Sequence, residues 1–203
     1  MSLPRRTLLR GALLIALPSL AGSGYLATRV RDRPAAAVPV PDDVCIVAPT
    51  FAYDPASGLP PLAAREVPSQ ARCPVCGMFP ARQRRWAAQV IFSDGHVQFL
   101  DSPLSLFHYL QQVSRYTPGR QAAEIAKVYV SDYASGIWLP TEQARFLQES
   151  SLLGPMRAGN LPAFESEAAS LPFRARHGGT LTSAAELRVR LPKDLQQLAP
   201  HRH

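Results

Sequence analysis

Trp86-Ala87-Ala88-Gln89-Val90-Ile91-Phe92-Ser93-Asp94-Gly95-His96-Val97-Gln98-Phe99-Leu100-Asp101-Ser102-Pro103 reads as strand, turn, strand and helix start in one unbroken run. Trp86 to Phe92 alternates and is rich in β-formers, which predicts a strand. Ser93-Asp94-Gly95 is a hairpin turn signal. His96 to Leu100 is the returning strand. Asp101 or Ser102 can cap a helix whose first turn holds Pro103. Leu104, Phe107, His108 and Leu110 supply its apolar face, through to about Tyr116. Thr117-Pro118-Gly119 stops it, and Ala126 to Val130 predicts another strand. The order is ββαβ.

Downstream, the pattern loosely repeats. Gly136 to Leu139 predicts a strand and Ser151 to Asn160 a loop. Leu161 to Phe164 predicts a second strand, and a helix follows from about Glu165 to Arg176. Gly178-Gly179 ends that helix, and Thr180-Leu181-Thr182 closes with a short strand. Phe99-Leu100-Asp101-Ser102 precedes the first helix and Phe164-Glu165-Ser166 the second. Each is an aromatic at a strand end, then an acid and a capping hydroxyl, an echo in the direction of duplication. The fold class is α+β.

Upstream of the first strand stands Cys73-Pro74-Val75-Cys76-Gly77-Met78. It holds two thiols and a thioether, soft ligands that suit Cu(I) better than any hard cation. Gly77 permits a sharp turn between Cys76 and Met78. A structural zinc site needs four ligands, and no second pair stands at finger spacing. A redox pair opening a helix is disfavoured by Gly77 and by Pro80. Haem attachment needs His directly after Cys76, where Gly77 stands. A Cu(I) loop survives these eliminations best. A thiol-disulfide oxidoreductase using Cys73 and Cys76, and a scaffold with a merely structural Cys73–Cys76 disulfide, stay open as alternatives. No acidic residue is placed beside the thiols for proton delivery to carbon.

The chain has 203 residues and a net charge of +7. Arg5-Arg6-Thr7-Leu8-Leu9-Arg10 followed by an apolar run to about Ala27 has the form of an export signal, twin-arginine-like. Retention as an N-terminal anchor is the alternative to cleavage. Export implies an oxidising compartment, in which thiolates persist only with a reductant or a bound metal. Cys45 makes the cysteine count odd. No Cys follows the apolar run directly, so no lipoprotein acceptor is seen. The sequence thus divides into an export segment or anchor (1–27), a Pro-rich tether (28–70), a folded domain (71–190, in units of about 71–131 and 132–190) and a flexible tail (191–203). Arg82, Arg84 and Arg85 form a solvated face or steer an acidic partner. No aromatic-basic motif points to nucleic acid, and nothing points to a small-molecule substrate.

Several segments taken together resemble the NosL family of copper chaperones for nitrous-oxide reductase maturation. They are the thiol stretch, Trp86-Ala87-Ala88-Gln89-Val90 with Asp94-Gly95, and Val128-Tyr129-Val130-Ser131-Asp132-Tyr133-Ala134-Ser135-Gly136-Ile137-Trp138. Leu153-Gly154-Pro155-Met156 and Ala175-Arg176-His177-Gly178-Gly179 complete the set. The resemblance implies two related ββαβ units, an arrangement also seen in organomercurial lyase. It implies Cu(I) binding in the periplasm, no enzymatic activity, and delivery to apo nitrous-oxide reductase or its membrane assembly complex. Carried over by residue, Cys76 and Met78 are the first ligands and Met156 the next. Cys73 is a further ligand or redox partner, and His96 could lend a nitrogen.

Overall fold

The structure, a computed structural model, describes residues 48–157 and 161–196. The export segment and Cys45 lie outside the described residues. Among the described residues seven strands are formed: β1 (Ala88–Phe92), β2 (Val97–Leu100), β3 (Ile125–Ser131), β4 (Trp138–Pro140), β5 (Arg145–Gln148), β6 (Ala163–Phe164) and β7 (Thr180–Ser183). The α-helices are α1 (Pro103–Gln111), α2 (Val113–Tyr116), α3 (Glu167–His177) and α4 (Ala184–Val189). One antiparallel sheet has the order β2-β1-β3-β4 and the other β6-β5-β7.

The two ββαβ units are β1-β2-α1-β3 and β5-β6-α3-β7. Each places its first strand in the middle of its sheet, flanked by its second and its last. The two helix starts are built alike. Ser102 Oγ accepts from the Ser105 amide at 3.3 Å, and Ser166 Oγ from the Ala169 amide at 3.1 Å. Pro103 sits in the first turn of α1, where its missing N–H is no loss. The anticipated single helix to Tyr116 is broken at Gln112 (φ −143°) into α1 and α2.

β1 is buried on both faces, although its alternation suggests a half-wet strand. Ala88, Val90 and Phe92 join the main core with Leu106, Phe107 and Tyr109 of α1. Ala87 and Ile91 face the other way, with Val97 and Phe99, and meet Val67, Ala71, Phe51 and Leu62. Residues 51–71 therefore plate the back of the sheet, and the tether expected over 28–70 is wrong for that part. Phe51 pairs with Val97 across an isolated bridge. Buried Gln89 accepts from the Arg65 amide at 3.0 Å and donates to the Arg65 carbonyl at 3.1 Å. Its amide thus acts as a strand neighbour. Gly95 closes the hairpin at φ 81°, and a Cβ there would stand 2.9 Å from that of Tyr53. Both the backbone and the plating require glycine.

Three further differences from the sequence reading have physical causes. Gly136–Leu139, assigned to the second unit, forms β4, which pairs with β3 and completes the first sheet. β5 and α4 were not anticipated. Each is short, and β5 shows only two adjacent buried residues, Phe146 and Leu147. The tail assigned to 191–203 starts later, because Leu191 and Leu195 are buried in the main core. His108 Nε2 donates to the Leu195 carbonyl at 2.9 Å.

The units share that core. Phe107 of α1 meets Phe146 of β5 edge-on at 5.2 Å. Asp132 is the polar joint. Its Oδ1 accepts from Ala134 (2.6 Å) and Ser135 (3.0 Å), and its Oδ2 from the Glu165 amide (2.8 Å).

Candidate metal centre

Cys73 to Met78 close into a knuckle. The Cys73 amide donates to the Met78 carbonyl at 2.9 Å, and the Gly77 amide to the Cys73 carbonyl at 2.8 Å. Gly77 takes φ 73° to complete the turn, a conformation costly for other residues. Both cysteines are free thiols and buried, Cys73 fully and Cys76 7 % exposed. A run of 3-10 helix, Pro80–Trp86, then carries the chain to β1. Trp86 anchors it by packing on Tyr133 at 4.9 Å.

A third group completes the cluster. The Asp101 carboxylate and the two sulfurs all lie within 4.8 Å of one another. The expectation that no acid stands beside the thiols fails. β2 runs antiparallel to β1, and so delivers its C-terminal end to the knuckle at the start of β1. Asp101 and Ser102 both looked like helix caps. Ser102 takes that task, which frees Asp101 to face the sulfurs. Asp101 Oδ2 is buried with no hydrogen-bond partner among the described residues, and Oδ1 accepts only from Ser102 Oγ, at 3.3 Å. Ser105 Oγ stands 3.9 Å from Cys76 Sγ.

Burial pushes the Cys73 thiol well above its ordinary pKa. Its hydrogen bond with Cys76 and the Asp101 charge act in the same direction, and the Asp101 backbone opposes them. Two thiolates beside this carboxylate would concentrate negative charge in a dry site. The pocket therefore resists a second deprotonation unless a cation enters, and a buried carboxylate oxygen without a partner fits such a cation.

The other sequence-derived residues divide. Met78 and Met156 are both half-buried and pack on the core cluster that contains the two thiols. His96 is elsewhere. It precedes β2 whereas Asp101 follows it, and five residue steps at about 3.3 Å each separate the two by roughly 16 Å. His96 Nδ1 lies 3.1 Å from Asp94 Oδ2, an ion-pair distance without hydrogen-bond alignment.

The NosL family model matches residues 64–191. This chain belongs to the NosL family. Its fold is similar to that of the copper chaperone NosL from Shewanella denitrificans, at a TM-score of 0.52 and 21% identity, over 63% of this chain and 96% of that one. At that identity the likeness is one of fold. No curated protein matches the chain in sequence.

The NosL-like segment at the end of α3, Ala175 to Gly179, supports the loop that carries Met156. The loop that carries Met156 is tied to the end of α3, where the Ser151 amide donates to the His177 carbonyl at 2.9 Å. Ser151 Oγ also bonds His177 Nδ1 at 3.2 Å. Gly179 packs so tightly under this loop that a Cβ would stand 2.5 Å from the Gln148 carbonyl oxygen.

Proposed function

We propose that this protein is a periplasmic Cu(I) metallochaperone rather than an enzyme. It would pass copper by ligand exchange to apo nitrous-oxide reductase or to its membrane assembly machinery. One observation carries this: two free thiols converge in a knuckle that also bears Met78, in a chain of the NosL family. The solved relative of the same fold is itself a copper chaperone.

Our reading of the ligand set is one thiolate and two thioethers, Cys76 with Met78 and Met156, carried over from the family resemblance, with both methionines packed on the core that holds the thiols. One thiolate balances one Cu(I), so the dry pocket gains no net charge. Raised pKa and the neighbouring carboxylate both oppose recruiting Cys73 as a second thiolate. Neutral thioethers are the easier ligands to displace. An incoming thiolate, thioether or imidazole therefore replaces them first and Cys76 last, and copper is never free.

The test is anaerobic Cu(I) titration of the reduced chain against a competing Cu(I) chelator. Wild type binds one equivalent. Cys76→Ser loses binding, and Met78→Leu weakens it by about tenfold or more, the loss of roughly one modest ligand. Absence of competitive binding in wild type would sink the copper reading and direct attention to the redox potential of the Cys73–Cys76 pair.

A further inference from the structure

The knuckle is framed by cations in an unusual arrangement. Arg72 precedes the first thiol and Arg82 follows the last sulfur by four residues. Both guanidinium groups lie over the ring of Phe79, at 4.3 Å and 4.7 Å from its centroid. Arg72 also donates to the Gly77 carbonyl at 3.4 Å. Phe79 directly follows Met78, so this double clasp sits against the sulfur loop. Arg84 and Arg85 extend it along the 3-10 run anchored by Trp86. All four arginines are exposed. The chain carries no Asp or Glu from Val67 to Ser93. Arg84 pairs with Glu66, which leaves Arg72, Arg82 and Arg85 without an ion-pair partner among the described residues.

A guanidinium held over an aromatic ring still has N–H donors to offer to carboxylates. The Phe79 contact thus gathers Arg82, and Arg72 with its bond to the Gly77 carbonyl, beside the only thiols of the described structure. The surface is pre-organised for recognition at the transfer site itself.

Resting on the copper-transfer reading, we propose that this Arg72–Phe79–Arg82–Arg85 surface is the docking face for the copper acceptor. That acceptor would be a protein carrying a cluster of carboxylates beside its own copper ligands. A protein is favoured over an anionic lipid surface because the cations flank the sulfur loop, Arg72 just before Cys73 and Arg82 and Arg85 after Met78, and two of them rest on Phe79 beside it. A membrane seated there would cover the loop that ligand exchange needs. The acidic partner supplies long-range attraction, which raises the encounter rate, and a register that brings its first ligand to Met78.

The test uses the full chain loaded with Cu(I) and two synthetic acceptor peptides that share one His-Met copper-binding core. One core is flanked by glutamates, the other by glutamines. Transfer is followed by stopped flow at several salt concentrations. At low salt the acidic peptide is expected to take copper about tenfold faster than the neutral one, and the advantage vanishes at high salt. In R82Q/R85Q the acidic peptide falls toward the neutral rate, while chelator-measured Cu(I) affinity and the neutral-peptide rate stay unchanged. Equal rates for the two peptides on wild type would overturn the docking face, as would an unchanged preference in the double variant. Arginine-dependent binding to phosphatidylglycerol vesicles without any acidic-peptide advantage would overturn it in favour of a membrane. Wild type that binds no Cu(I) against the chelator defeats the copper reading itself, a separate result from the loss of charge preference.

Discussion

Asp101→Asn separates the two things this carboxylate does. In the apo protein it is a liability. Oδ2 is buried with no hydrogen-bond partner, and the residue is only 1 % exposed. An unsatisfied buried oxygen costs about 1–3 kcal/mol, more when charged. Against that, the carboxylate sits just before the N-terminus of α1, where a negative charge contributes about 0.3–1 kcal/mol. Asparagine keeps the shape, loses the charge, and turns an amide N–H toward the sulfurs. The balance is an apo protein more stable by about 1–2 kcal/mol, worth roughly 2–8 °C in Tm for a domain of this size. The Cys73 thiol, held up partly by the Asp101 charge, titrates at lower pH in the variant. Urea unfolding of the reduced apo protein measures the first effect and ultraviolet thiolate absorbance against pH the second. A variant that is less stable than wild type, with the Cys73 titration unmoved, would refute the account of Asp101 as an unpartnered charge facing the thiols.

Further outcomes follow from other groups. Burial lowers the His108 pKa and outweighs its bond to Leu195. The folded state therefore holds His108 neutral, and stability falls as pH drops below the unfolded value of about 6.5. Burial raises Cys73, so that group's contribution is present below the unfolded thiol value of about 8.5 and lost as pH climbs past it. Apo stability should plateau between those limits, and urea midpoints across the range check both arms. Gln89→Leu strands the Arg65 amide and carbonyl, which is expected to cost about 2 kcal/mol in urea unfolding and to speed proteolysis within 51–71. Cu(I) affinity should rise by about one decade per pH unit near neutrality if one thiolate is used, because each recruited thiol releases one proton; a slope of two decades would place Cys73 in the ligand set as well.

The first unit was legible because its signals are local and agree. The Asp94-Gly95 turn, the Ser102 cap and Pro103 each fix a boundary within a residue or two. The knuckle was legible for the same reason, being six consecutive residues. What the sequence hid was long-range. β4 reads as the start of a new unit, yet the tight Asp132–Gly136 turn folds it back on β3. Phe51, Leu62 and Val67 are spaced apart among prolines, so they look like linker, and only the second buried face of β1 reveals that something must cover it. Leu191 and Leu195 follow the same logic at the other end. Asp101 was visible only as one of two cap candidates, because a helix-start acid is ordinarily a cap. Nothing in the local sequence says that Ser102 alone fills that role. His96 was plausible by residue type alone and lies at the wrong end of its strand.

The duplicated architecture explains why, among the described residues, one unit carries the candidate metal centre and the other does not. Both units end their second strand with an acid followed by a capping serine. In the first, Asp101 is buried and faces sulfurs. In the second, Glu165 is exposed, and its amide is held by Asp132. The difference lies upstream of each central strand. β1 is preceded by the knuckle and an anchored 3-10 run, enough chain to bring two thiols over the strand end. β5 follows β4 after only a short turn at Thr141–Ala144, too little to build a loop there. The second unit contributes instead through the loop between β5 and β6, which His177 and Gly179 hold in place and which carries Met156. On the proposed ligand set, a copper site would draw its anchoring thiolate from one unit and a replaceable thioether from the other. Movement at the joint between the units, where Asp132 binds the Glu165 amide, would then loosen Met156 without disturbing Cys76. Asp132→Ala should accordingly speed copper release to a chelator while leaving one-to-one loading intact. A variant that releases copper at the wild-type rate would refute the coupling of this joint to Met156.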